Sequence, residues 1–150
     1  MRSRKELENM EAALSCSVES RVRFSELDPM CVMWHGNYLR LFEDAREEFG
    51  RRFDGIGYMQ MYEAGFTAPV VDLHISYHSP LAMNDCAVIE ISYYPEAAAR
   101  LRFGYRVSRK SDGMPVCSGE STQVFVDTKG NMSLVKPEFF KDWEKKWLKA

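Results

Sequence analysis

The sequence has no long apolar run, no paired-cysteine motif and almost no charge imbalance, and each absence removes a class of function. Its longest apolar stretches are a few residues, far short of the ~20 that a membrane span needs. The formal net charge is only -2, so no general field draws the chain to nucleic acid or an anionic membrane. A polyanionic ligand would have to meet a local basic cluster. Cys16, Cys31, Cys86 and Cys117 show neither Cys-x-x-Cys spacing nor a zinc pattern. The opening stretch, Met1 to Leu14, is charged and has no apolar signal-peptide core. This predicts a cytoplasmic chain with free thiols, and no stable membrane insertion. Internal repeats and Pro-, Gly- or Ser-rich linkers are also missing, so one domain over residues 1–150 is expected, with a core at about 16–129.

What is present fits a globular protein: 45% hydrophobic and 28% charged residues over 150 positions are enough for a substantial core. Nine methionines are many for this length. Irregular core filling explains them most simply. An adaptable apolar pocket built from Met33, Trp34, Met59 and Met61 is the sharper alternative.

Periodicity predicts the elements. A charged helix is expected over 2–14, then a strand from Cys16 to Phe24, with Val18, Val22 and Phe24 at even spacing. The pattern breaks from Ser25 to Gly36, around Asp28-Pro29. A long helix follows, its apolar stripe formed by Tyr38, Phe42, Ala45, Phe49 and Phe53. Its other face offers the pairs Arg40–Asp44, Glu47–Arg51 and Glu48–Arg52. Gly36 or Asn37 would cap its start, and Gly55 and Gly57 would stop it. Four strands are then expected, over Ala68 to Tyr77, Cys86 to Tyr94, Arg100 to Arg109 and Val116 to Asp127. A terminal amphipathic helix at 137–149 would present Phe140, Trp143 and Trp147. Strand, helix, then strands joined by short turns indicate an α+β fold with an antiparallel sheet. The helix stripe has only that sheet to bury against.

The chemistry concentrates between Arg23 and Arg46. A carboxylate, Asp28, sits in a loop, and an imidazole, His35, stands directly before the long helix. Helix N-termini present unpaired amides and positive dipole, which suit an oxygen developing negative charge. A nearby carboxylate can attack a carbonyl or deprotonate a water. Hydrolysis of an activated acyl group needs those two components. Taken singly the residues say less: Asp-Pro is common turn chemistry, and His35 alone reads as a helix-start residue. Cys31 is a weaker candidate nucleophile. His74 and His78, with Asp72, invite a metal reading. On a strand, however, four residues at ~3.3 Å each separate the imidazoles by about 13 Å, too far for one ion. No metal is expected.

The stretch resembles the hotdog-fold acyl-CoA thioesterases of the 4-hydroxybenzoyl-CoA thioesterase type, including the Tol–Pal-associated branch. The residues that carry the likeness are Asp28, His35, Gly36, Asn37, Tyr38 and Glu43-Asp44-Ala45-Arg46. It extends from about Val18 to the Val-Phe-Val-Asp sequence at 124–127. The chain departs from the family where Pro29, Met30 and Cys31 replace small residues, and where the link Val32-Met33-Trp34 is bulky. The resemblance implies an antiparallel sheet wrapped round one helix, and hydrolysis of acyl-CoA to carboxylate and CoA without a cofactor. Asp28 would be nucleophile or general base, and His35 would orient the loop. Amides near Gly36, Asn37 and Tyr38 would polarise the thioester carbonyl. A homodimer or homotetramer with sites at the interface is implied as well.

Glu43, on the helix, is the second-choice catalytic acid. Arg100 and Arg102, on one face of a strand, are candidates for the CoA phosphates, against the simpler reading of a solvent face. Two rival functions stand beside hydrolysis. One is a hydratase or dehydratase of β-hydroxyacyl thioesters pairing His35 with Glu43, and the other is a non-catalytic acyl-CoA binder.

Overall fold

The computed structural model describes residues 11–148. Five strands form one antiparallel sheet: β1 (Leu14–Arg21), β3 (Val70–Tyr77), β4 (Cys86–Tyr94), β5 (Arg100–Arg109) and β6 (Pro115–Val124). Their order across the sheet is β1-β4-β5-β6-β3, which leaves β1 and β3 at the edges. The short strands β2 (Phe66–Thr67) and β7 (Val126–Asp127) pair with each other. The long helix α1 (Tyr38–Arg52) packs on the main sheet, and α2 (Tyr58–Glu63) and α3 (Glu138–Trp147) follow. An antiparallel sheet wrapped round one helix is the predicted hotdog arrangement. No helix among the described residues is long and apolar enough to cross a membrane.

Alternation along the strands explains how the sheet holds the helix. Ile89, Ile91 and Tyr93 of β4 and Leu101, Phe103, Tyr105 and Val107 of β5 are buried on the inner face. Against them α1 buries Tyr38, Leu41, Phe42, Ala45 and Phe49. Phe42 stacks on Tyr105 with centroids 4.3 Å apart, and Phe49 meets Phe103 edge-on at 5.1 Å. A side chain at Gly119 of β6 would strike the Phe42 ring at 2.6 Å, so glycine there lets the ring lie on the backbone. α3 closes the far end, with Phe140 and Trp143 buried and the Trp143 indole donating to Phe53 O at 2.7 Å.

Several expectations need correction. The first strand stops at Arg21: the Arg23 amide donates to Glu26 Oε1 at 2.8 Å, and the resulting turn throws Phe24 out, 77% exposed. Of the helix expected at 2–14, residues 2–10 lie outside the described residues, and Leu14 already belongs to β1. The last strand breaks at Phe125, whose ring is buried against Phe139 and Phe140 of α3 at 5.6 and 5.0 Å. Following α3 bends the chain out of the main sheet. On α1, Glu47 and Glu48 both engage Arg51, at 3.0 and 3.5 Å, while among the described residues Arg40 and Asp44 make no ion pair.

Arg46 is the largest departure from the helical pattern. It is 1% exposed, donates to Gln123 Oε1 at 2.9 Å and Ile56 O at 2.8 Å, and lies over the Tyr58 and Phe103 rings. Burial pushes its pKa down. Its hydrogen bonds tie α1 to the loop after it and, through Gln123, to β6.

Candidate active site

The loop between β1 and α1 is a narrow hairpin with Asp28 at its bend. Leu27 pairs with Met33, the Asp28 amide donates to Val32 O at 2.8 Å, and the Cys31 amide donates to Asp28 O at 2.9 Å. Closing so tight a turn puts Cys31 at φ 63°, left-handed for a residue with a Cβ. The Asp28 carboxylate braces this turn: its Oδ1 accepts from the amides of Met30 at 2.8 Å and Val32 at 3.5 Å. Among the described residues Oδ2 accepts nothing, so one oxygen is fixed and the other is available. Asp28 is half-buried.

The hairpin is tied directly to the start of α1. Glu26 O accepts from the Trp34 amide at 2.9 Å and from Asn37 Nδ2 at 3.0 Å. Asn37 holds the N-cap position, yet its side chain turns back to Glu26 instead of capping the helix. A 3-10 turn, His35–Asn37, leads into α1; the Asn37 amide donates to Trp34 O at 2.9 Å, so among the described residues the amides left without an acceptor in the turn are those of His35 and Gly36 at its opening. From the other side, Val32 pairs with Ala82, the Met33 amide donates to Leu81 O at 2.8 Å, and the Leu81 amide donates to the Tyr38 hydroxyl at 3.1 Å. Burial raises the Tyr38 pKa, the Leu81 bond opposes the rise, and the charges of Cys117, Tyr77 and Asp28 add to it.

Aromatic rings surround the turn. A Cβ at Gly36 would meet the Trp34 ring at 2.3 Å, so the indole rests directly on the glycine backbone. The His35 ring is exposed and tilted against Trp34 at 5.0 Å. Asp28, His35, Gly36, Asn37 and Tyr38 thus share one neighbourhood.

Most other candidates lie outside this neighbourhood. Glu43 faces α2, accepting from the Tyr58 hydroxyl at 3.2 Å. It stands eight residues beyond His35, about 12 Å along a helix axis, so one chain does not pair the two. Glu96 engages both Arg100, at 3.1 Å, and Arg102, at 3.3 Å, and Arg102 is 3% exposed. Arg102 alternates with the inward Leu101 and Phe103, so it belongs to the sheet face opposite α1. A phosphate there would have to displace Glu96. Met33 and Met61 are core residues, whereas Trp34 and Met59 are exposed. His74 meets Ser76 at 3.1 Å and His78 meets Ser118 at 3.0 Å. Cys31 is exposed, and among the described residues no imidazole is bonded to it.

A groove of about 940 Å³ crosses the outer sheet face beside His74, Glu90, Arg106 and Glu120. It includes neither Asp28 nor the helix start. The paired components of acyl chemistry lie at the helix start, and chemistry is the better guide to the site. Two residues of the neighbourhood escape sequence reasoning. Tyr77, on β3, donates its hydroxyl to His35 O at 2.7 Å and packs edge-on to Tyr38 at 5.4 Å. Leu81 supplies the amide on Tyr38. Neither bond has a local sequence signal, because each joins residues more than forty positions apart.

The Thioesterase-like superfamily model matches residues 22–148. The chain belongs to that superfamily. Among curated relatives it is similar to YneP of Bacillus subtilis (strain 168), for which acyl-CoA thioesterase activity is proposed. The two are 28% identical over 132 residues, 88% of this chain and 94% of YneP. Among solved structures it is similar to a DHNA-CoA thioesterase from Staphylococcus aureus, with TM-score 0.80, 21% identity and 89% of each chain covered. A second is an aspartate-to-asparagine variant of 4-hydroxybenzoyl-CoA thioesterase in complex with 4-hydroxybenzoyl-CoA. There the TM-score is 0.74 and the identity 20%, with 85% of this chain and 96% of that one covered. At these identities the solved structures speak for the hotdog fold.

Proposed function

We propose that this thioesterase-like chain hydrolyses acyl-CoA, with Asp28 as the catalytic carboxylate and the opening amides of α1 as the oxyanion site. The carrying observation is the half-tied carboxylate. Loop amides hold Asp28 Oδ1 while Oδ2 stays open, and Glu26 O anchors the same hairpin to the helix start. Acting as a base, Asp28 would take a proton from water as the oxygen bonds to the thioester carbon. The carbonyl oxygen would gain its negative charge facing the amides, where the dipole and N–H groups stabilise it. Collapse breaks the C–S bond, and the CoA thiolate recovers the proton from Asp28. Acting as a nucleophile, the carboxylate would form a mixed anhydride that water then cleaves. Both routes use the same two groups, and His35 with Trp34 would border the thioester.

The names of the relatives support acyl-CoA as the substrate class. The aspartate variant of the 4-hydroxybenzoyl-CoA enzyme, seen holding its acyl-CoA, supports a carboxylate in the chemistry. A second copy of the chain would cover β3, an edge strand whose Val71, Leu73 and Tyr77 stand 42–58% exposed. Of the two arginines first considered for the nucleotide, Arg100 remains the candidate, its side chain one-quarter exposed.

The test is thiol release from a panel of aromatic, short-chain and long-chain acyl-CoAs. Asp28→Asn should lower kcat by about 10²–10⁴-fold while the unfolding midpoint stays in place. A variant that retains most of the activity removes Asp28 from the mechanism. Saturable binding with no release of thiol by the wild type would make the protein an acyl-CoA binder.

A further inference from the structure

We propose that the outer face of the main sheet, turned away from α1, is an interface between two copies of this chain, with Arg106 of β5 paired to Glu90 of β4 across a two-fold axis. The inference goes beyond the thioesterase reading and does not depend on it. The groove of about 940 Å³ on this face holds neither Asp28 nor the helix start. Its floor carries charges that the chain itself leaves unpaired. Glu90 and Arg106 stand directly opposite each other on neighbouring strands, and both are exposed. Among the described residues neither side chain makes an ion pair or a hydrogen bond. The cations towards the ends of β5 differ: Arg102, Arg109 and Lys110 each hold a carboxylate within 3.3 Å.

Register decides which partner fits. The outward residues Val88, Glu90 and Ser92 of β4 lie opposite Ser108, Arg106 and Gly104 of β5. A two-fold axis parallel to the strands, running between β4 and β5, lays each of these over its opposite in the second copy. Arg106 then meets the partner's Glu90, and Glu90 meets the partner's Arg106, the self-complementarity that an isologous contact requires. Val88 falls on a serine, and Ser92 falls on Gly104. A Cβ at Gly104 would meet the Tyr94 ring at 3.0 Å, so that ring lies low against the sheet. One strand further out, Ser118 of β6 falls on the partner's Ser17 of β1. Small side chains therefore dominate the contact and let the sheets approach to about 10 Å, the usual face-to-face spacing. Four strands about 4.8 Å apart and about eight residues long give about 500 Å² per copy, or about 1,000 Å² together, where specific interfaces begin. Other occupants fit less well. A polyanion on Arg106 would lie beside the carboxylates of Glu90 and Glu120, and a cationic partner would meet Arg106. β3 stays outside the contact, so its edge remains open to a second kind of pairing.

Sedimentation equilibrium of the full chain at micromolar concentration tests the proposal. Arg106→Glu sets carboxylates face to face at both symmetry-related positions, and like charges so placed are strongly disfavoured. It should halve the wild-type mass. Glu90→Arg should do the same from the other strand, and far-UV circular dichroism checks that each variant is folded. The combined Arg106→Glu, Glu90→Arg variant restores opposite signs and should return to the wild-type mass. A wild type that sediments as one chain overturns the interface, as does a folded Arg106→Glu variant that keeps the wild-type mass. A double variant that stays at half mass overturns the pairing of these two residues. Thiol release tests the thioesterase reading separately, and none of these masses bears on it.

Discussion

The two ends of α1 are built on opposite plans. Towards its C-terminus the helix lies among rings: Phe49, fully buried, meets Phe53, Tyr93, Phe103 and Trp143 within 6.3 Å, and α3 seals the cluster. At its start, Trp34 and His35 are exposed. Hydrogen bonds accepted by the Glu26 carbonyl and donated by the Leu81 amide and the Tyr77 hydroxyl hold the geometry there instead of dry packing. Apolar burial is strong but excludes substrate. Hydrogen bonds to backbone position amides accurately while leaving them open. The buried end anchors the helix, and the open end presents its dipole.

Substitutions at the two ends should therefore separate stability from chemistry. Asp28→Asn, described above, carries the largest expected loss of activity at no cost in stability. Phe49→Ala should be its mirror image, costing about 3–5 kcal/mol in denaturant unfolding with kcat per folded molecule preserved. An equal loss of kcat in that variant would erase the distinction between the ends. Gly36→Ala should fall between, because the new Cβ cannot share space with the Trp34 ring and the turn or the ring must shift. Displacements near 1 Å at a reacting centre can cost on the order of 10²-fold, so kcat should fall towards that limit. Adding Trp34→Ala should recover part of it. Steady-state assays of the two variants measure this coupling.

The smallest effect is expected far from both ends, in the turn between β5 and β6. Hydrogen bonds from Arg109, with help from the Met114 amide, lower the Asp112 pKa from 3.8 to about 2. A carboxylate held lower in the folded state than in the unfolded one adds stability above the unfolded value. That contribution disappears as pH falls through the folded value. The stability difference between wild type and Asp112→Asn should be small and constant above about pH 4, then shrink to nothing near pH 2. Acid titration of the unfolding midpoint checks this, and a difference that widened on acidification would contradict it.

Much of the fold was legible in local pattern. The stripe Tyr38, Phe42, Ala45 and Phe49 announced a helix with one buried face, and alternation in β4 and β5 announced a sheet to receive it. Periodicity failed where tertiary contacts outweighed it. Val22 continues the strand pattern, but the Arg23–Glu26 turn ends the strand before it. Phe125 bends the last strand to reach α3. Arg46 is charged yet buried. Its position four residues after Phe42 and three before Phe49, on the flank of the stripe, was a signal available to the helical reading.

The site divides in the same way. Sequence alone named the candidate groups for the chemistry, because a carboxylate in a loop before a helix and a glycine at the helix start are local choices. It also determined which faces are apolar, since spacing sets the side on which a residue falls. Tertiary structure decided which groups meet. Tyr77 reaches His35 across 42 positions and Leu81 reaches Tyr38 across 43, while Glu96 engages both arginines that had been candidates for phosphate. The physical reason is range. Propensity and periodicity act over a few residues, whereas a hydrogen bond depends only on distance and angle in space, whatever the separation along the chain.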